Sequence, residues 1–278
     1  MSDVKVVEEK VDVPESEEDS IVVESSDDVS AVPSVPSEEE AGFVAVVPTS
    51  PDDWKPKTSL GRDVKSGKVS NLNDILTSGT PILEYQITDV LIPNIESDLL
   101  MIGQSKGKFG GGQKRAFRQT QKKTPEGNKP SFSALVVVGN KNGIVGVGYG
   151  KSKDTVPARE EALRNAKTGI FKIRRGCGSW ECNCKSPHSI PFKVRSKVGG
   201  VTIELLPAPR GKGLIVEGEI AKILSFAGVK DVWCRRVGRS TGKFNLVSAA
   251  VLALKKLSTT KIVQSHRDAL GIVEGSHG

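Results

Sequence analysis

The 278-residue sequence predicts an α+β protein in which two small α/β units follow a disordered acidic tail. Three observations carry this. The opening 53 residues have no sustained helical or strand period. A strand, strand, helix pattern occupies the middle of the chain. A second pattern of strand, turn, strand, loop, helix, strand and helix fills residues 188–257.

Charge separates the parts before any element is assigned. Residues 1–53 carry 16 Asp/Glu against only Lys5 and Lys10, a balance of −14. Residues 54–278 hold 38 Lys/Arg against 17 Asp/Glu, a balance of +21. A Val, Ser, Pro and acid mixture without period buries too little apolar surface to offset its ordering entropy, which predicts the disordered tail. The basic body calls for a polyanionic partner, because clustered Lys and Arg release counterions from phosphate backbones. No run of about 18 apolar residues and no basic-then-apolar leader is present, so a cytoplasmic protein without membrane insertion is expected.

The expected boundaries are a tail over 1–53, an extension packing on the body over 54–94, an RNA-binding unit over 95–175, a cysteine-rich link over 176–187, a C-terminal α/β unit over 188–260 and a C-terminal tail over 261–278. In the extension, "NLNDILTSGTP" predicts a short helix ended by Gly79-Thr80-Pro81, followed by an extended or helical apolar piece. From Gly103 to Thr124 come seven Lys/Arg, no acid, several glycines, and Phe109 and Phe117. This stretch reads as a loop whose glycines allow close approach to RNA, whose cations pair with phosphates, and whose rings stack on bases or anchor the loop.

"ALVVVG" and "GIVGVGYG" read as strands joined by a turn at Asn140–Gly143. A helix follows from an Asp154 or Thr155 cap, with Pro157 in its first turn and Ala162, Leu163, Ala166, Ile170 and Phe171 at helical spacing. The Gly150-Lys151-Ser152 run suggests a nucleotide phosphate loop. The glycine that such a loop needs five positions before Gly150 is Val145, and Gly146 and Gly148 alternate with apolar residues as in a strand. Lys151 and Lys153 are therefore assigned to RNA phosphates.

"CGSWECNCKSPH" places Cys177, Cys182, Cys184 and His188 within twelve residues. Three thiolates and an imidazole form a chemically complete tetrahedral zinc set. The alternative is a tight loop of reduced thiols with His188 bonded to backbone. Cys184 follows Cys182 too closely for an ordinary Cys-x-x-Cys knuckle. No Pro-Cys-x-x-Cys deaminase signature is present, and Cys234 reads as a small strand residue.

In the second unit, "IPFKVRSK" and "VTIELLPA" are the first strand pair, one helix ends at Gly228, and the last runs from about Phe244 to Leu257. Two loops carry its cations, Arg210 and Lys212 in "PAPRGKG", then Arg235, Arg236, Arg239 and Lys243 in "CRRVGRSTGK".

The segments "FSALVVVGNKNGIVGVGYGKSKDTVPAREEALRNAK", "GCGSWECNCKSPHSIPFKV", "VTIELLPAPRGKGLIV" and "LSFAGVKDVWCRRVGRSTGKFNLVSAAVLALKKL" closely resemble the universal small-subunit ribosomal protein five family in its archaeal branch. The resemblance spans about residues 54–260 and leaves the acidic opening unexplained. It implies a first unit like a double-stranded-RNA-binding domain and a second that is the family's C-terminal α/β sandwich. It further implies a structural, non-catalytic constituent of the small ribosomal subunit, bound to rRNA near the mRNA path, beside ribosomal protein four, and contributing to translational accuracy. The cations expected to meet RNA are Lys106, Lys108, Lys114, Arg115, Arg118, Lys122, Lys123, Lys141, Lys151, Lys153, Arg174, Arg175, Arg210, Lys212, Arg235, Arg236, Arg239 and Lys243. Beyond the zinc set no cofactor is expected. The competing readings are a free RNA-binding regulator and a small-molecule phosphotransferase. For the latter, the sequence lacks a longer Gly-Ser phosphate loop and a carboxylate cluster for metal.

Overall fold

The computed structural model describes residues 54–103, 114–239 and 241–275. The acidic opening, expected to be disordered, lies outside them. Three short helices come first: α1 (Ser59–Lys65), α2 (Leu72–Ser78) and α3 (Tyr85–Leu91). The Thr58 hydroxyl accepts from the Gly61 amide to cap α1, and Gly79 ends α2 in a left-handed conformation.

The first sheet contains β1 (Glu96–Leu99), β2 (Arg118–Thr124), β3 (Gly127–Gly139), β4 (Ile144–Ser152) and β5 (Phe171–Lys172), in the order β1-β3-β4-β5 with β2 paired to the start of β3. Helix α4 (Thr155–Thr168) covers one face. It rides close because a Cβ at Gly146, Gly148 or Gly150 would meet α4 backbone at 2.1–2.3 Å. Ile170 and Phe171 fall at helical spacing, but α4 stops before them. Gly169 ends it, and Phe171 instead pairs with Val145 in the sheet.

Strand β3 explains why "ALVVV" reads as one apolar run. Ala134, Val136 and Val138 pack into a core shared with α4 and with Trp54, Leu72, Ile75 and Ile87 of the extension. Leu135 and Val137 point the other way, into a second core. That core is built mostly by the second half: β7 (Val194–Val198), β8 (Val201–Pro207), β9 (Leu214–Ile215), α5 (Gly218–Phe226), β10 (Val232–Gly238) and α6 (Lys243–Thr259). Its sheet order is β7-β8-β10-β9, with β9 parallel to β10. Burial of the first sheet on both faces therefore joins the two halves through continuous apolar packing.

A short strand β6 (Arg174–Arg175) leads out of the first sheet. Within the stretch expected to be a C-terminal tail, helix α7 (Gln264–Leu270) forms and β11 (Val273–Glu274) pairs with β6. Among the described residues no helix is long and apolar enough to cross a membrane.

Candidate nucleic-acid interface

The basic segment is not one loop. From Arg118 onward it is strand β2, paired in register with β3 from Arg118↔Ser133 to Thr124↔Gly127. Polar side chains hid this strand, since neither β2 nor the first residues of β3 show apolar alternation. Pairing of β3 with β4 begins only at Phe132, so the ribbon ahead of it projects as a two-stranded arm. The arm exposes Lys122, Lys123 and Lys129, with Arg118 exposed at its base, against the single acid Glu126, which pairs with Lys129 at 3.6 Å. An isolated two-stranded ribbon with no covered face is marginal in water, so this one suits a surface that a partner covers.

At the arm's base the Gly103 amide donates to the Arg115 carbonyl at 2.8 Å, which brings the ends of the intervening segment together. Lys114 and Arg115 are exposed there. Phe117 packs against the first core, so of the two alternatives for this ring the structure selects anchoring. Lys106, Lys108 and Phe109 lie outside the described residues. Lys114 also faces Lys243 at the start of α6. Burial first, then the facing Lys114 ammonium, push the Lys243 pKa down to about 8, and the Lys243 ammonium contacts the Glu217 carboxylate. Glu217 also holds Arg236 at 3.0 Å.

Exposed Lys151 and Lys153 flank the end of β4, with Gly150 and Lys151 both inside the strand, so no phosphate-wrapping turn exists there. Arg210 and Lys212 are exposed on the loop before β9, and Arg235 and Arg239 on and just after β10. The Gly211 and Gly213 amides donate to Asp231 Oδ1 at 3.0 and 2.8 Å, which fixes that loop.

Three expected contacts sit elsewhere than the sequence suggested. Arg175 is buried. Its guanidinium donates to Asn142 Oδ1 at 2.7 Å and reaches the Gly275 carbonyl at 3.5 Å, and burial lowers its pKa. Arg174 contacts Glu274 and donates to the Leu257 and Thr260 carbonyls, so its Nε and Nη1 donors are spent inside the fold. These two are corrected to structural residues, since Arg175 is buried away from any phosphate and Arg174 has its Nε and Nη1 donors engaged by protein. Lys141 is exposed, but its ammonium pairs with Glu96 at 2.6 Å and its turn docks on the end of α5. There the Lys141 and Gly143 amides donate to the Phe226 and Ala227 carbonyls.

Sequence reasoning passed over a further set. Lys193, Arg195 and Lys197 alternate with Val194, Ser196 and Val198, and the structure leaves the cations exposed while burying Val194 and Ser196. Glu204 lies between them and β10, at 3.3 Å from both Lys193 and Arg195 and opposite Arg235. The period-two alternation of cation and small or apolar residue was the available signal.

Cys177, Cys182, Cys184 and His188 do converge, with their ligand atoms all within 4.8 Å of one another. Burial is the first of the causes that raise the Cys177 thiol to about 11, whereas hydrogen bonding from Ser186 lowers exposed Cys184 to about 6.

A protein of this two-sheet organisation has relatives. Residues 116–174 match the family described as ribosomal protein S5, N-terminal domain, and residues 196–267 match ribosomal protein S5, C-terminal domain. A protein of Nanoarchaeum equitans named small ribosomal subunit protein uS5 is 47% identical over 225 residues, 81% of this chain and 96% of the relative. The chain belongs to the ribosomal protein S5 family. Proteins of the same name from Methanocaldococcus jannaschii and Thermofilum pendens are 43% and 42% identical, over 81% and 73% of this chain and 96% and 94% of theirs. The family matches divide the chain as the sheets do, the first over β2 to β6 and the second from within β7 to within α7. Both family matches lie beyond the acidic opening.

Proposed function

We propose that this protein is a structural, non-enzymatic constituent of the small ribosomal subunit, in the cytoplasm, where it binds rRNA and neutralises phosphates so that RNA helices approach one another. The observation that carries this reading is the β2-β3 arm, which with its base exposes four cations against one acid. Family membership supports it. Phosphate contacts supply most of the affinity, and the placement of the arm, the Arg210–Lys212 loop and the exposed end of β4 on one fold sets position by shape. Ribosomal protein four and the mRNA path are its proposed neighbours, with an effect on translational accuracy, a reading that the family resemblance supports.

Cosedimentation through a high-salt sucrose gradient tests the reading. The chain is expected to travel with small subunits, and the triple charge reversal Lys114→Glu, Arg115→Glu, Arg118→Glu is expected to reduce its incorporation. Recovery of the native chain only in light fractions would reject it in favour of a free regulator, and unaltered incorporation of the reversal would reject this arm as the contact.

A further inference from the structure

We propose that Cys177, Cys182, Cys184 and His188 bind a structural zinc ion, and that Asp231 passes the metal's hold to the cationic loop at Arg210–Gly213. The four ligand atoms lie within 4.8 Å of one another, and Cys182 Sγ is 3.9 Å from His188 Nε2. Sulfurs at zinc-thiolate bond lengths in a tetrahedron are about 3.8 Å apart, so only a small closure is needed. Three soft thiolates with one imidazole select zinc over harder divalent ions.

The scaffold brings the first and last ligands together without metal. Gly176 and Ser189 form an antiparallel bridge, each amide donating to the other's carbonyl at 2.9 and 3.0 Å, which sets Cys177 beside His188. Between them the loop has little apolar packing of its own. Trp180 is 89% exposed, and Lys185 adopts a positive φ of 52°. A loop so poor in burial is held by its ligand set.

His188 is oriented from behind. Its Nδ1 lies 2.8 Å from Asp231 Oδ2, and both residues are buried. A carboxylate only accepts, so Nδ1 carries the hydrogen and Nε2 turns its lone pair to the sulfurs, the carboxylate–histidine–zinc arrangement. The other Asp231 oxygen accepts from the Gly211 and Gly213 amides. The metal, imidazole and carboxylate thus form a continuous line to the backbone between Arg210 and Leu214.

The test uses the full chain purified under reducing conditions. Elemental analysis is expected to give about one zinc per chain, and cobalt exchanged into the site is expected to show tetrahedral d–d bands with thiolate charge transfer. Cys182→Ser is expected to abolish both signals, and Asp231→Ala to weaken zinc about tenfold. Removing zinc from the native chain with a chelator is expected to speed hydrogen exchange at the Gly211 and Gly213 amides. A metal-free native chain that also gives no tetrahedral cobalt spectrum leaves only reduced thiols and overturns the site. Exchange at Gly211 and Gly213 unchanged by zinc removal overturns the link through Asp231.

Discussion

Gly148 of β4 lies directly beneath Ala166 of α4, so close that a methyl group at position 148 would sit 2.1 Å from the Ala166 nitrogen and 2.2 Å from the Ala162 carbonyl oxygen. Both neighbours are backbone and cannot swing aside. Gly148→Ala must push the helix off the sheet and is expected to cost about 3 kcal/mol, the upper part of the range for overpacked cores. Gly200→Ala meets nothing within 4 Å and is expected to shift stability by less than about 0.5 kcal/mol. Urea denaturation of both variants checks the contrast, and equal midpoints would refute the close helix–strand contact.

Arg174 and Arg175 are bound within the fold, and a second prediction follows from the difference between them and the exposed cations. Arg175→Ala is expected to lose about 2 kcal/mol of stability, because Asn142 and the Gly275 carbonyl lose a buried charged donor. Arg118→Ala is expected to leave stability within about 0.5 kcal/mol while weakening RNA binding. Thermal unfolding paired with filter binding separates the two roles. The reverse pattern would return Arg175 to the interface.

Most of what positions the interface was readable from local pattern, and the exceptions share a cause. The β3-β4 hairpin announced itself because Ala134–Val138 and Ile144–Tyr149 are apolar on both sides of a Gly-closed turn. Strand β1 did not, since Glu96–Leu99 acquires its identity only from pairing with Val136–Gly139. The arm was hidden for the same reason, its strands being polar throughout. Arg174 and Arg175 looked like free cations because the residues that engage them, Glu274 and Gly275, lie about a hundred positions away. Convergence of the four zinc-set residues was legible from spacing alone. The service of Asp231 to both His188 and the 211–213 amides was not, as 43 residues separate the acid from the imidazole.

The arm makes a third, electrostatic prediction. Each phosphate neutralised contributes about 0.7–0.9 to the slope of log affinity against log salt. Replacing Arg118, Lys122 and Lys123 together by Ala is expected to make that slope shallower by about 2 to 3 and to weaken binding most at low salt. Titration with a structured small-subunit rRNA fragment at several ionic strengths measures it. An unchanged slope would show that these side chains face something other than phosphate.

The last prediction concerns the extension that covers the first core. Trp54 Nε1 donates to Glu84 Oε2 at 2.9 Å, while the Lys57 and Thr58 amides donate to Oε1 at 2.9 and 2.6 Å. Burial works against ionisation of Glu84, but the hydrogen bonds from Thr58, Lys57 and Trp54 together outweigh it and lower its pKa below the ordinary value of 4.5. A carboxyl whose pKa is lower in the folded than in the unfolded chain adds stability that is present above the unfolded value and lost as pH falls through the folded one. Glu84→Gln keeps the shape and one acceptor but removes the charge. The native chain is therefore expected to unfold at higher temperature than the variant at pH 7, with the gap closing as pH drops below about 4, the acid side of an ordinary glutamate. Calorimetry across that range decides it: a gap that stays constant to acid pH would mean that the Glu84 charge contributes nothing and that the Trp54–Thr58 segment is held by packing alone.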